Sequence, residues 1–132
     1  TGWPYAVEMR NKHWLAPEYF TCLSRHAITH VFNSWDAMPP VGEQMALEGS
    51  RTNPNLAAAR FLLKPGRKYE EAVNAFKPYN RVKDKNPEAR AAGTTLIAEG
   101  KEAGPKKKTF IYVNNRLEGN ALETISAMLE PD

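Results

Sequence analysis

KTFIYVNNRLEGNALETISAML, residues 108–129, is the stretch whose reading decides the fold. Phe110, Ile111, Tyr112 and Val113 form an unbroken apolar run, which predicts a parallel strand covered on both faces, and the amides Asn114 and Asn115 end it abruptly. Gly119 permits a tight turn, Asn120 is a good N-cap, and Glu123 stands three residues on, where a capping box places its acid. Ala121, Leu122, Ile125, Met128 and Leu129 then share one face of an amphipathic helix. A strand's carboxyl end followed by a helix amino end is where α/β proteins hold anions and small ligands, because free N–H groups and the helix dipole point there.

Working back from that stretch, the same alternation recurs. Tyr5 to Arg10 alternates as a strand, with Glu8 and Arg10 facing the same way about 7 Å apart. Pro17 opens a helix carrying Tyr19, Phe20 and Leu23 and running to about His26. Ala27 to Phe32 is β-branched and aromatic and turns polar at Asn33 and Ser34. Val41 to Glu48 supplies one or two helical turns, and Gly49 to Asn55 is loop by composition. Leu56 to Leu63 suits either helix, by its three alanines, or a short buried strand, by its length. Tyr69 to Phe76 places Tyr69, Ala72, Val73 and Phe76 on one helical face, and Asn86-Pro87-Glu88 starts a further helix that ends before Gly104-Pro105. Strand, helix, strand, helix, strand, two helices, strand, helix implies an α/β protein with parallel strands and right-handed crossovers.

With 132 residues and 42% hydrophobic content, the chain is one domain or part of one, long enough to bury a core. Eighteen Lys and Arg against fifteen Asp and Glu leave a formal charge of +3, which permits phosphate or nucleic-acid binding without requiring it. No apolar run has membrane-spanning length, and the amino end lacks a signal-peptide layout, so no membrane partner is expected. The single Cys22 makes no internal disulfide and, between Phe20 and Leu23, reads as a buried spectator thiol; a reducing, cytoplasmic location is the expectation. His26 and His30 have the spacing of paired helical metal ligands but fall on a helix end and a strand, so no metal site is assigned to them.

VEMR with Trp14 shortly after, Arg60 in the third strand, PGRKYEEA, FKPYNR, NPEAR and above all YVNNRLEGNA resemble the carboxyl-terminal part of the YecE-like family, domain of unknown function 72. The similarity runs over nearly the whole chain. It implies a TIM-barrel-like (β/α) fold, incomplete, with residues 1–132 holding about its last four β/α units and the amino-terminal half absent; a closed barrel has eight strands and about 250 residues. The opening Thr1-Gly2-Trp3, with no initiator Met, fits a fragment. One departure is that the family commonly continues from its Arg toward a His-Gly pair, whereas Phe61, Leu62, Leu63 and Lys64 follow Arg60 here. The family's activity is unestablished, so the resemblance implies a fold and no particular reaction or cofactor.

In a barrel, ligands sit at the carboxyl ends of the strands, where Glu8, Arg10, Asn33, Arg60, Asn114 and Asn115 are expected to converge. Glu8 is the candidate general acid or base, Arg10 and Arg60 the holders of an anionic group, and Asn33, Asn114 and Asn115 orienting residues. The turn of Arg116, Gly119 and Asn120 is the expected phosphate seat. These residues point to a protein binding an anionic or phosphorylated small molecule, with hydrolase, isomerase or lyase chemistry open to it. The alternatives are a nucleic-acid-binding or processing protein, through Lys64, Arg67, Lys68, Arg81, Lys83 and Lys85 with Tyr69 and Tyr79 for stacking, and a non-catalytic binding module. Alone, a half barrel is expected to self-associate or to need its missing half.

Overall fold

The computed structural model describes residues 2–132. Four strands, β1 (Ala6–Val7), β2 (Thr29–Ser34), β3 (Leu56–Phe61) and β4 (Lys108–Val113), form one sheet in chain order, each pair parallel. Between and after them run α1 (Pro17–Arg25), α2 (Val41–Met45), α3 (Tyr69–Phe76), α4 (Pro87–Ala103) and α5 (Ala121–Leu129), with a single 3-10 turn at Lys12–Trp14. The ambiguous segment is a strand. Ala57, Ala59 and Phe61 point inward from it, and small side chains there let α4 lie close, with Ala89, Ala92 and Leu96 buried against the sheet. Asn86 caps α4 through Oδ1, which accepts from the Ala89 N–H at 3.1 Å.

Register and alternation divide the sheet into two faces. Phe32, Ala59, Phe61, Ile111 and Val113 face the helices and, with Val41, Met45, Leu96, Leu117 and Met128, make the main core. A smaller cluster of Leu63, Ala72 and Phe76 lies under α3. The opposite face carries Asn33, Arg60 and Tyr112 in one register row and Val31, Ala58 and Phe110 in the row below. Val7 pairs with His30, whose ring packs edge-on against Phe20 and Phe32 on the helix side, so Ala6 and Glu8 belong to the opposite face.

Three expectations are corrected. The apolar run of β4 is not covered on both faces: Phe110 is 46% and Tyr112 57% exposed, because β4 is an edge strand and no helix packs on their side. In α5 the buried positions are Thr124 and Met128, while Leu122 and Leu129 face solvent. Thr124 turns inward because its hydroxyl donates to the buried Glu118 at 2.5 Å, and Met128 because it fills the space left by Gly93. Cys22 is exposed: its neighbours Phe20 and Leu23 take the inner face of α1 and two residues' rotation carries Cys22 outward. Among the described residues no helix is long and apolar enough to cross a membrane.

Candidate functional site

Short strands that end together at one rim bring residues distant in sequence to one place. Glu8, just past β1, accepts from Arg10 Nε on Oε1 at 2.7 Å and from Arg60 Nη1 on Oε2 at 2.5 Å. The Glu8 side chain is 15% exposed and those of Arg10 and Arg60 44% and 43%, so the acid is the inner member and the two bases form the rim. Burial pushes the Glu8 carboxyl up, but the hydrogen bonds and charges of Arg10 and Arg60 together outweigh it and hold the group below its ordinary range. Arg10 also lies over the Trp35 ring, 4.5 Å from its centroid, which fixes the plane of its guanidinium. Among the described residues these are the polar contacts of Arg10 and Arg60. A guanidinium has five N–H donors, so most of theirs are open to a ligand.

Asn33 belongs to the same cluster from below. It is fully buried, and its Nδ2 donates to the Met9 carbonyl at 2.9 Å, which ties β2 to the backbone between Glu8 and Arg10. Its Oδ1 has no partner among the described residues. Gln44 of α2 pins the end of β2, donating to the Asn33 carbonyl at 2.7 Å.

The other expected site residues are engaged within their own loop or with the segments beside it. Asn114 Oδ1 accepts from the Arg116 N–H at 2.9 Å, and Asn115 Oδ1 accepts from the Ala121 N–H at 2.8 Å. Asn120 accepts from the Glu123 N–H at 3.0 Å and donates to the Tyr79 carbonyl at 2.9 Å. Glu123 does not close a capping box; its carboxylate reaches across to the Val82 N–H at 2.7 Å. Two N–H groups at the start of α5, expected to face an anion, are thus held by side-chain oxygens of the loop. Arg116 stacks over the exposed Tyr69, 4.6 Å from the centroid. Gly119, at φ +120°, brings its backbone against Arg81, and a Cβ there would stand 2.5 Å from the Arg81 carbonyl. Of the basic cluster, Lys68 pairs with Asp36 at 2.8 Å, and Lys64 and Arg67 both pair with Asp84, whose carboxyl they hold below its ordinary range.

Sequence reasoning missed Glu118, Arg90 and Trp35. Glu118 is wholly buried; it accepts from Arg90 at 2.9 to 3.2 Å, from the Asn86 N–H at 2.5 Å and from the Thr124 hydroxyl, while its carbonyl accepts from the Lys83 and Asp84 N–H groups. The signal was an acid set between Leu117 and Gly119 in a loop that otherwise reads as polar surface.

A four-stranded parallel sheet with helices packed on one face makes this an α/β protein. The model of the family described as protein of unknown function DUF72 matches residues 1–131, and the chain belongs to that family, the one its motifs resemble. A crystal structure of a DUF72 family protein from Enterococcus faecalis V583 is similar in fold, with a TM-score of 0.60 and 19% sequence identity over 98% of this chain. The chain spans 47% of the length of that relative. No curated protein matches it.

Proposed function

We propose that the chain forms the last four β/α units of a TIM-barrel-like domain and that its strand-end rim binds an anionic small molecule. The observation that carries the reading is the one carboxylate shared by two half-exposed arginines, Arg10 from the segment after β1 and Arg60 from β3. Such pairs occur as plain surface ion pairs, but those leave no reason for Asn33 to brace the same backbone from a buried position or for Trp35 to fix one guanidinium plane. Glu8 keeps its charge at neutral pH and spends both oxygens on the arginines, so its part is to orient them, not to give or take a proton. Supporting the barrel is the parallel chain-order sheet with one face left open, in a family with a solved member about twice as long.

Thermal unfolding of the protein with and without small anions tests the binding. A ligand at 100 times its Kd stabilises by about 2.7 kcal/mol, which moves the midpoint visibly. The expected result is a saturable upward shift with acetate or inorganic phosphate that Arg60→Ala and Arg10→Ala each remove. If neither anion shifts the wild-type midpoint, the reading fails.

A further inference from the structure

On the helix side of the sheet, a cleft of about 430 Å³ lies between the second halves of α4 and α5. That is the size of a small-molecule site. Ile97, Gly100 and Lys101 of α4 and Ile125, Met128 and Leu129 of α5 form its sides, each set at helical spacing and so on one face of its helix. Thr109 and Ile111 of β4, with Lys107 just before the strand, form the floor. All of its walls are this chain's own packed elements, on the face opposite the uncovered one. The cleft has a cause in the sequence: Gly93 and Gly100 stand seven apart on α4, and Met128 occupies the space that the first leaves free. Beside the second, α5 has ended at Leu129 while α4 runs on to Ala103, so the gap stays open. A Cβ on Gly100 would stand 2.7 Å from the Thr109 hydroxyl.

The lining is apolar over one part and cationic over the other. Ile97 and Ile111 continue the main core into the cleft. Lys101 and Lys107 have no carboxylate partner among the described residues, and no acid lines the cleft. The Thr109 hydroxyl has no hydrogen-bond partner either. From Lys107 to Ile111 the floor runs about 13 Å at strand rise, the reach of a medium-length alkyl chain. Charge and apolar surface so arranged are complementary to a molecule with an alkyl tail and an anionic head. We propose that this cleft binds a medium-chain acyl carboxylate, its tail between α4 and α5 and its carboxylate at Lys101 and Lys107. The site lies at the amino end of β4, away from the strand-end rim, and does not rest on the anion reading above.

Isothermal titration of the protein with butyrate, hexanoate, octanoate and octanol tests it. Affinity is expected to rise about fourfold for each methylene added from butyrate to octanoate, and octanoate to bind about fivefold tighter than octanol. Lys101→Ala combined with Lys107→Ala brings octanoate to the octanol level, and Leu129→Glu, which sets a negative charge beside the tail, removes octanoate binding. Lys101 and Leu129 are exposed, so these changes spare the core, and circular dichroism checks that each variant is folded. Arg60→Ala, and Phe110→Ser with Tyr112→Ser, leave octanoate binding unchanged. Affinity that does not grow with chain length, or octanoate binding that survives both the lysine and the Leu129 variants, overturns the proposal. Loss of octanoate binding in Arg60→Ala moves the ligand to the rim, and loss in the Phe110 and Tyr112 variant moves it to the open sheet face; either overturns the cleft.

Discussion

At the scale of single residues, the two buried groups that matter most were chosen by opposite logic. Glu118 is accommodated in the interior because both carboxylate oxygens are hydrogen-bonded: Arg90, the Asn86 N–H and the Thr124 hydroxyl converge on it. Removing one member of such a set strands the others, at about 3–5 kcal/mol. Glu118→Ala is therefore expected to lower the unfolding free energy from urea titration by that order, and Arg90→Ala combined with it to add much less than its single effect. His30 is buried as an uncharged ring, joined to the Tyr19 hydroxyl at 2.9 Å, and burial pushes its pKa down from 6.5 to about 4. The unfolded chain binds a proton near pH 6.5 and the folded one only near 4, so stability is complete above 6.5 and declines as the pH falls through that window. The total comes to about 3 kcal/mol. Urea unfolding at pH 7 and pH 4.5 measures it, with His30→Gln as the control in which that part of the decline disappears. Tyr19, whose pKa burial pushes up to about 12, stays neutral throughout and does not contribute.

At the scale of elements, what the sequence made legible was whatever depends on local pattern. Asn86-Pro87-Glu88 marks the start of α4, and Asn120 caps α5 as its position implies. The order of strands and helices follows from alternation; the strand expected over Tyr5 to Arg10 is shorter, Ala6–Val7, and Glu8 meets Arg10 in the extended segment that follows it. What stayed hidden depends on which neighbour an element finds. The outward turn of Leu122 and Leu129 follows from Glu118 pulling on Thr124 and from the missing side chain at Gly93, and neither is encoded in the periodicity of α5. Glu123 suits a capping box by spacing, yet the Val82 N–H lies nearer to hand. The loop before α5 is packed against the segment around Arg81 and not held open for a ligand, and Gly119 is where that packing is tightest. Gly119→Ala adds a clash with the Arg81 carbonyl to the cost of a positive φ, whereas Gly66→Ala, at φ +85° with nothing within 4 Å, bears the conformational cost alone. Both are expected to destabilise, the second by about 1 kcal/mol and the first by clearly more, as denaturant midpoints would report. Equal losses at the two glycines would mean that the Arg81 segment yields freely.

At the scale of the whole molecule, the sheet is finished on one side only. The helix face holds the core, while the other face offers Phe110 and Tyr112 to solvent, and β1 and β4 are each paired along one edge among the described residues. Unpaired edges and a contiguous apolar patch are the two features that drive chains together. In a chain about twice as long, as the solved relative is, further residues are available to cover that face. The 132 residues expressed alone have only other copies to use. Sedimentation velocity over a range of concentrations is expected to show reversible or progressive association, reduced by Phe110→Ser with Tyr112→Ser, which lowers the apolar area without touching the helix-side core. The rim bears on this as well, since Arg60 shares a register row with Tyr112 and whatever covers the lower part of the face must leave that row open for a ligand to enter. A monodisperse, cooperatively unfolding monomer would mean that the exposed face is stable in water as it stands, and the half-barrel reading would lose its physical ground.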